Sequence, residues 1–210
     1  MNNTCFTRPK KPLTCKRPDF DIPIPIVNIN APKLLTVDRG TECHTTPDHV
    51  ADLMVEYLDY KDATINEAAH GVLEPHAGTG QLVAAMLRAG FMSGCINTIE
   101  KHQKLVEHMQ NRFEYTLVSI NQGDFLTDFD EFKHRPGDIY SGEDRIICNP
   151  PFKNIVAHMD QVFKCLKPGG LAICLVPITY KKLEHDILKE LGNNTFSYAK
   201  VNTKIIRITK

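Results

Sequence analysis

The chain has 210 residues, which suits a single domain, and its 42% hydrophobic and 24% charged residues are typical of a globular protein. It contains no apolar run near the roughly 18 residues of a membrane span and no secretory signal, so we expect a cytoplasmic protein without membrane contact. Seven scattered cysteines without a C-x-x-C pair indicate free thiols rather than disulfides or a zinc site. The formal net charge of zero argues, as an average, against a nucleic-acid partner.

That charge is unevenly distributed along the chain. Residues 1–40 hold 7 basic and 3 acidic residues, residues 41–150 hold 8 and 18, and residues 151–210 hold 10 and 4. Both ends are therefore basic, which keeps a nucleic-acid partner open. The first segment also contains six prolines from Pro9 to Pro32, spaced too closely for a helix. We expect residues 1–40 to be an extended basic arm and residues 41–210 to form the folded domain.

From residue 44 onward, the pattern of apolar residues predicts an alternation of helices and strands. Thr46-Pro47, followed by apolar residues spaced three and four apart, predicts a first helix at 47–60. Further strands are predicted at 72–74, 96–100, 117–120, 145–148 and 171–176, and further helices at 81–89, 103–113, 154–166 and 181–191. Two last apolar runs, 196–201 and 205–208, predict a terminal hairpin with one antiparallel strand. The fold class is therefore α/β, doubly wound, with a mostly parallel sheet covered on both faces.

A glycine-rich turn follows the first predicted strand, at Ala77-Gly78-Thr79-Gly80. Glycines let the backbone pass close to a ligand, and the N-terminus of the following helix supplies free N–H groups and positive partial charge. A tight connection between a strand and a helix uses the same residues, so this segment alone leaves a purely structural role equally open.

Two acidic residues follow the next two predicted strands. Glu100 ends the second strand, where a carboxylate accepts both ribose hydroxyls of a nucleoside in dinucleotide-binding folds. Asp124, in Gly123-Asp124-Phe125, is placed to accept a hydrogen bond from an adenine amino group, and Phe125 to stack on its ring. The alternatives are a solvated acid at a helix start and an ordinary turn.

The most specific segment is Asn149-Pro150-Pro151-Phe152, which directly follows an apolar strand. Two prolines fix the backbone and remove two N–H donors. A rigid ledge remains, with the Asn149 side-chain oxygen and the Pro150 carbonyl as acceptors beside an aromatic face. A generic Pro-Pro turn explains the rigidity but not the asparagine and phenylalanine at its two ends.

Together these segments resemble the S-adenosylmethionine-dependent methyltransferases, and more narrowly the adenine-N6 DNA methyltransferases in which a Thr-Pro helix precedes the cofactor motif. The resemblance covers roughly residues 44–178 and implies a Rossmann-like sheet of seven strands. It implies that S-adenosylmethionine is held by Thr46, Glu74, Pro75, His76, Ala77, Gly78, Gly80, Glu100, Asp124, Phe125 and Asn149. Within this set, Thr46 and residues 76–80 contact the methionine part, Glu100 the ribose, and Asp124 and Phe125 the adenine. Asn149, Pro150, Pro151 and Phe152 are the implied catalytic residues, which receive the target base.

The chemistry of the ledge suggests how such a transfer proceeds. An exocyclic amine on a purine is a poor nucleophile because its lone pair is delocalised into the ring. Acceptors at Asn149 Oδ1 and the Pro150 carbonyl draw the amine toward tetrahedral geometry and stabilise the developing positive charge. A base stacked in a duplex cannot reach the ledge, so the target is flipped out or single-stranded. No metal is required.

The substrate remains open between several classes. Adenine-N6 methylation of DNA, of a restriction-protection kind, is the first hypothesis, and DNA is favoured over RNA as partner. The alternatives are an RNA base methyltransferase acting on adenine N6 or guanine N2, a protein glutamine methyltransferase and a non-catalytic nucleic-acid-binding relative. Phe152 counts against the glutamine enzymes, whose motif usually ends in tyrosine.

Enzymes with this order of motifs commonly carry a separate target-recognition region, and no such domain is expected here. We expect sequence readout to be minimal, to come from the 1–40 arm, or to come from a specificity subunit or a second copy of the chain. Phosphate contacts are predicted at Lys181, Lys182, Lys200, Lys204 and Arg207, with a solvated surface as the alternative for each. Phe196 and Tyr198 are candidates for the aromatic that sandwiches the base.

Overall fold

The computed structural model describes residues 45–58, 71–129, 142–193, 195 and 201–210. Its helices are α1 (Asp48–Glu56), α2 (Gln81–Arg88), α3 (Gln103–Arg112) and α4 (Ile155–Cys165). Its strands are β1 (Val72–Glu74), β2 (Ile96–Glu100), β3 (Ser119–Gln122), β4 (Glu143–Cys148), β5 (Leu166–Pro177), β6 (Asp186–Leu191) and β7 (Thr203–Thr209). Short 3₁₀ turns lie at Ser93–Cys95 and Phe152–Asn154.

The strands form one seven-stranded sheet in the order β3-β2-β1-β4-β5-β7-β6. Pairing is parallel from β3 to β5, and β7 runs antiparallel to both β5 and β6. The predicted mostly parallel sheet with one reversed strand near the C-terminus is thus confirmed.

Both faces of the sheet are covered, as the alternation of side chains along its central strands shows. In β4, Ile147 packs with α1 and α2 on one face, while Ile146 and Cys148 pack with α4 on the other. All three side chains are fully buried. Burial of an isoleucine of this kind stabilises a fold by roughly 1.5–3 kcal/mol. Burial on both faces explains the apolar runs at 146–148 in β4 and at 171–176 in β5.

One predicted element is wrong. The helix expected at 181–191 is replaced by strand β6, which pairs with β7 at the edge of the sheet. Pairing with β7 gives one side of β6 a ladder of backbone hydrogen bonds, and this outweighs the helical spacing of the apolar residues. The predicted partner strand at 196–201 lies outside the described residues except for Val201, which belongs to no strand. β6 therefore supplies the first strand of the terminal hairpin.

Smaller differences concern the ends of elements. β3 begins at Ser119 rather than 117, α1 ends at Glu56 before two turn residues, and β5 begins at Leu166, so it includes the Lys-Pro-Gly-Gly segment. The predicted arm at 1–40 lies outside the described residues. Within the described ranges, no helix combines the length and apolar character needed to cross a membrane.

Candidate functional site

A cleft of about 560 Å³ opens at the carboxyl edge of the sheet. The strand order reverses direction between β1 and β4, because β2 and β3 extend to one side and β5 to the other. Open α/β sheets bind their ligands at such a switch point. The cleft is lined by Thr45 and Thr46 before α1, residues 75–79, 81 and 82 after β1, residues 100–102 and 105 after β2, residues 123–126 after β3, and Asn149, Pro151, Lys153, Asn154 and His158 after β4.

The glycine-rich turn forms the floor of this cleft beside the start of α2. Gly78 and Gly80 have φ angles of 54° and 79°, which residues with a side chain rarely adopt. A Cβ atom on Gly80 would lie 2.5 Å from Cε2 of Phe113, whose ring is buried under the turn. Glycine is therefore required at position 80 both for backbone conformation and for packing.

Glu100 is held rigidly at the end of β2. Its Oε2 accepts a hydrogen bond from the Gly78 N–H at 2.8 Å, and its Oε1 accepts one from the His102 N–H at 2.8 Å. The side chain lines the cleft although the residue is only 5% exposed. Each carboxylate oxygen has a second lone pair, so the two oxygens of Glu100 are positioned to accept hydrogen bonds from two hydroxyl groups of a ligand.

Glu74 supports the turn from below and does not line the cleft. Its Oε1 accepts a hydrogen bond from the His76 N–H at 3.1 Å, and the residue is 1% exposed. Burial raises the pKa of Glu74 well above its ordinary value, against the lowering effect of that hydrogen bond, and the nearby Glu100 raises it further. Glu74 therefore favours the neutral, protonated form, whereas Glu100 presents the acceptor oxygens.

Two histidines meet in the wall of the cleft. His76 Nε2 lies 2.9 Å from His158 Nδ1, and the His76 ring packs edge-on against Phe125 at 5.2 Å between ring centroids. Burial, and then the neighbouring His158, lower the pKa of His76 well below its ordinary value, so His76 is neutral at physiological pH. His158 was not predicted from the sequence; it lies near the start of α4, far from His76 in the chain, and no spacing links the two.

Asp124 lies on the rim of the cleft after β3. Its Oδ2 accepts a hydrogen bond from Lys101 Nζ at 2.7 Å, and its Oδ1 accepts one from the Leu126 N–H at 3.0 Å. Burial tends to raise the pKa of Asp124, but the Lys101 hydrogen bond and the Leu126 N–H outweigh it, and the pKa is lowered. The predicted adenine contact would have to share the Asp124 carboxylate with Lys101, a residue that sequence reasoning missed.

Phe125, expected to stack on an adenine ring, is only 2% exposed. It packs edge-on against Phe129 as well as His76 within the second core cluster. The residue contributes to the lining of the cleft, yet most of its ring surface belongs to the core. Stacking of a ligand on Phe125 thus remains a prediction.

Asn149 ends β4 and faces the Thr-Pro segment that precedes α1. Its Nδ2 donates a hydrogen bond to Thr46 Oγ1 at 3.0 Å across a separation of 103 residues. Thr46 is 4% exposed, and both residues line the cleft. The amide of Asn149 is therefore oriented by Thr46, a residue that is distant in the sequence but adjacent in the fold.

The structure brings most of the predicted site residues together. Those that line the cleft are Thr46, Pro75, His76, Ala77, Gly78, Glu100, Asp124, Phe125, Asn149 and Pro151. The other four, Glu74, Gly80, Pro150 and Phe152, do not line it: Glu74 and Pro150 are buried, Gly80 caps α2, and Phe152 is half-buried in a 3₁₀ turn.

The predicted phosphate contacts differ in exposure. Lys181 and Lys182 are exposed, whereas Lys204 is buried in β7 with its Nζ 3.0 Å from His185 Nε2. Burial, and then the neighbouring Lys181, lower the pKa of Lys204. Lys204 is thus a sheet residue rather than an exposed cation. Lys200, Phe196 and Tyr198 lie outside the described residues.

Arg112 is the most informative residue that the sequence did not reveal. Its Nη1 donates to the Thr79 carbonyl at 2.6 Å and also to Gln81 Oε1, and so ties the end of α3 to the glycine turn. Burial lowers the pKa of Arg112 to about 10, which leaves it charged at neutral pH. In the sequence, a basic residue in the last turn of a helix resembles an ordinary partner of the helix dipole.

No protein-family model matches the sequence, and no curated protein is similar to it. Solved structures do resemble it. The methyltransferase subunit of a type I restriction-modification system from Streptococcus thermophilus is 14% identical, with a TM-score of 0.63 over 80% of this chain and 45% of that one. An O-methyltransferase from Bacillus cereus in complex with SAH is 15% identical, with a TM-score of 0.59 over 80% of this chain and 83% of that one. The chain has the Rossmann-like methyltransferase fold.

A putative RNA methyltransferase from Pyrococcus horikoshii also shares this methyltransferase fold. It is 16% identical, with a TM-score of 0.55 over 85% of this chain and 91% of that one. The described chain spans less than half the length of the Streptococcus subunit. Because these identities are low, the likeness establishes the fold, and the residues of the cleft have to carry the argument about chemistry.

Proposed function

We propose that this protein is an S-adenosylmethionine-dependent methyltransferase that methylates the exocyclic N6 amino group of adenine in DNA, on a flipped or single-stranded base. One observation carries the proposal: Asn149, at the end of β4, shares a single cleft with the glycine turn and with Glu100. The methyltransferase fold supports the same reading, since its ligands lie at the carboxyl edge of the sheet.

The residues of the cleft fit the proposed cofactor. A volume of about 560 Å³ lies within the range of small-molecule sites, roughly 300–1,000 Å³. The two anchored oxygens of Glu100 match two ribose hydroxyls, Asp124 provides an acceptor for an amino group, and the turn at Gly78 allows close approach of a ligand to the backbone. When bound, the cofactor supplies an electrophilic methyl group on a positively charged sulfur.

The ledge at the end of β4 receives the target amine in this proposal. Asn149 Oδ1 and the Pro150 carbonyl accept the two amine hydrogens, so that the lone pair turns out of the ring plane and toward the methyl group. The same two dipoles stabilise the positive charge that develops on nitrogen. Phe152 replaces a stacking neighbour that the base loses when it leaves the helix.

DNA is the proposed substrate, with a specificity subunit or a second copy of the chain as the proposed partner, beside minimal readout or readout by the 1–40 arm. The similar structure from Streptococcus thermophilus is itself a subunit of a restriction-modification system, which motivates the choice of DNA and of a partner subunit. The similar structure from Pyrococcus horikoshii, a putative RNA methyltransferase, motivates RNA as the second candidate. Two alternatives remain, a protein glutamine methyltransferase and a non-catalytic nucleic-acid-binding protein. An assay with separate substrates distinguishes all four.

The decisive assay offers methyl-labelled S-adenosylmethionine with duplex DNA, single-stranded DNA, total RNA and a protein lysate in separate reactions. We expect label in DNA, recovered as N6-methyladenine after enzymatic digestion and mass spectrometry. Label in RNA alone or in protein alone would replace DNA by that substrate. Cofactor binding by calorimetry without transfer to any of the four would leave a binding protein with the methyltransferase fold.

Two variants separate the two halves of the cleft. Asn149→Ala removes an acceptor used in the transition state, so we expect transfer to fall by about 100- to 1,000-fold while the cofactor Kd changes little. Asp124→Ala removes a ligand acceptor, and we expect the cofactor Kd to rise by about 10-fold. Calorimetry and initial rates measure both. An Asn149→Ala enzyme with the wild-type rate would refute the proposed mechanism.

A further inference from the structure

The hydrogen bond between Asn149 and Thr46 joins the carboxyl end of β4 to the start of α1. Asn149 Nδ2 donates to Thr46 Oγ1 at 3.0 Å, and Thr46 is 4% exposed. The resemblance to known methyltransferases implies a different role for Thr46, a contact with the methionine part of the cofactor. The observed contact points instead to the amide that is proposed to receive the target amine.

An asparagine amide has two chemically opposite ends. The oxygen accepts hydrogen bonds and the nitrogen donates them, and rotation about the last side-chain bond exchanges their positions easily. An amine substrate presents N–H donors, so it binds the oxygen and is repelled by the NH₂ group. The direction in which the Asn149 amide points therefore decides whether it favours an amine at all.

Thr46 is well placed to fix that direction because its own position is rigid. The adjacent Pro47 has a restricted backbone, and its carbonyl accepts hydrogen bonds at 2.9 Å from the N–H groups of Val50 and Ala51. Both of these residues are fully buried in the core. The hydroxyl of Thr46, a buried residue just before α1, thus reaches the amide nitrogen from a segment that is anchored to the core.

We propose that Thr46 is a positioning residue that holds the NH₂ end of Asn149 and thereby turns Oδ1 toward the target. This inference rests on the proposed function and deepens it. It narrows the substrate to a group with N–H donors, such as an exocyclic amine, and it assigns to Thr46 an action through Asn149 rather than on the cofactor.

Three substitutions test the proposal in the full-length protein. Thr46→Val removes the hydroxyl while retaining a β-branched side chain of similar shape, and Thr46→Ser retains the hydroxyl. Thr116→Val is the matched control, because it removes a hydroxyl that donates to the Phe113 carbonyl at 2.8 Å outside the cleft lining. All three are compared with wild type for cofactor Kd by calorimetry, and for kcat and KM with the DNA substrate.

For Thr46→Val we expect kcat to fall on the order of 10- to 100-fold, because misorientation of a positioning group has effects of this size. The cofactor Kd and the DNA KM stay near wild type, Thr46→Ser restores kcat, and Thr116→Val leaves it unchanged. An unchanged kcat in Thr46→Val overturns the inference. So does a raised cofactor Kd with an unchanged kcat, which would make Thr46 a cofactor contact.

A second measurement does not depend on activity. The side-chain NH₂ signals of Asn149 are assigned in a ¹⁵N–¹H spectrum by their loss in Asn149→Ala. We expect Thr46→Val to shift these signals and Thr46→Ser to leave them close to wild type. Unshifted signals in Thr46→Val refute the hydrogen bond itself. A wild-type protein that binds cofactor but transfers to no substrate refutes the proposed function, independently of the spectrum.

Discussion

Replacement of Gly80 by alanine tests whether the glycine turn is required for packing as well as for backbone conformation. Gly80 has a φ angle of 79°, and a Cβ atom there would lie 2.5 Å from Cε2 and 3.0 Å from Cζ of Phe113. Phe113 is 3% exposed and packs in the core beneath α2, so its ring has little room to move. The substitution therefore introduces backbone strain and a steric clash together.

The two contributions can be separated by magnitude. An L-residue in the left-handed region is destabilised by roughly 1–2 kcal/mol. Insertion of an extra carbon into a packed core typically adds about 1–3 kcal/mol. We therefore expect Gly80→Ala to lower the free energy of unfolding by about 2–5 kcal/mol, a large part of the roughly 5–15 kcal/mol that domains possess. Displacement of the turn should also weaken binding of the proposed cofactor.

Gly169 offers a matched control. Its φ angle is 80°, and a Cβ atom built on it meets nothing within 4 Å. Gly169→Ala should therefore show only the backbone part, about 1–2 kcal/mol. Urea denaturation monitored by circular dichroism gives both free energies, and calorimetry gives cofactor affinity. The reasoning fails if Gly80→Ala is no more destabilising than Gly169→Ala, or if the two bind the cofactor equally well.

Two further predictions concern the buried ionisable side chains of Glu74 and Arg112. Because the folded-state pKa of Glu74 lies well above its ordinary value of 4.5, stability is lost as pH rises from that value through the folded pKa. We expect Glu74→Gln to remove this loss, so that its melting temperature exceeds that of wild type by a margin that grows with pH; an equal margin at pH 5 and pH 8 would contradict the assignment. Arg112→Met leaves the Thr79 carbonyl without its charged donor, and we expect a loss of about 1–3 kcal/mol together with weaker cofactor binding. Arg88→Met, which breaks a surface pair with Asp52, is the control and should change the free energy of unfolding by no more than about 1 kcal/mol in a denaturant titration.

The central sheet could be predicted from sequence because its residues are selected by burial on two faces. β4 ends in a buried apolar run at 146–148, and residues 171–176 of β5 form another. Glu100 ends β2 and Asn149 directly follows β4, so their gathering at one edge follows from the parallel topology. This is why Glu100 and Asn149 could be predicted from the sequence.

β6 shows where this reasoning fails. Residues 183, 187, 188 and 191 are apolar at a helical spacing, yet the segment forms an edge strand in which most side chains are exposed or half-buried. An edge strand buries little, so its side chains carry no alternating signal. Its conformation is set by the hydrogen-bonding edge of β7, a partner that the local sequence does not encode.

The side-chain contacts that orient the residues of the cleft also could not be predicted from the sequence. Lys101 bonds Asp124, His158 meets His76, and Arg112 reaches the Thr79 carbonyl. Each contact joins residues that are far apart in the chain, so it depends on strand register and on the reach of long side chains. A sequence pattern indicates that such residues are polar, but not which partner each will find.

The pairing of β1 with β4 fixes the distance between the glycine turn and Asn149, which lie on two sides of the cleft. Val72 pairs with Arg145 and Leu73 with Ile146, and these strands lead directly into the glycine turn and into Asn149. A slip of one residue would move the two ends apart by about 3.3 Å and turn β4's buried side chains to the opposite face. The distance between the glycine turn and Asn149 is thus set by a backbone ladder at the centre of the core, away from the side chains of the rim. Substitutions along the rim can change which ligands bind, while the span between these two sides of the cleft stays fixed.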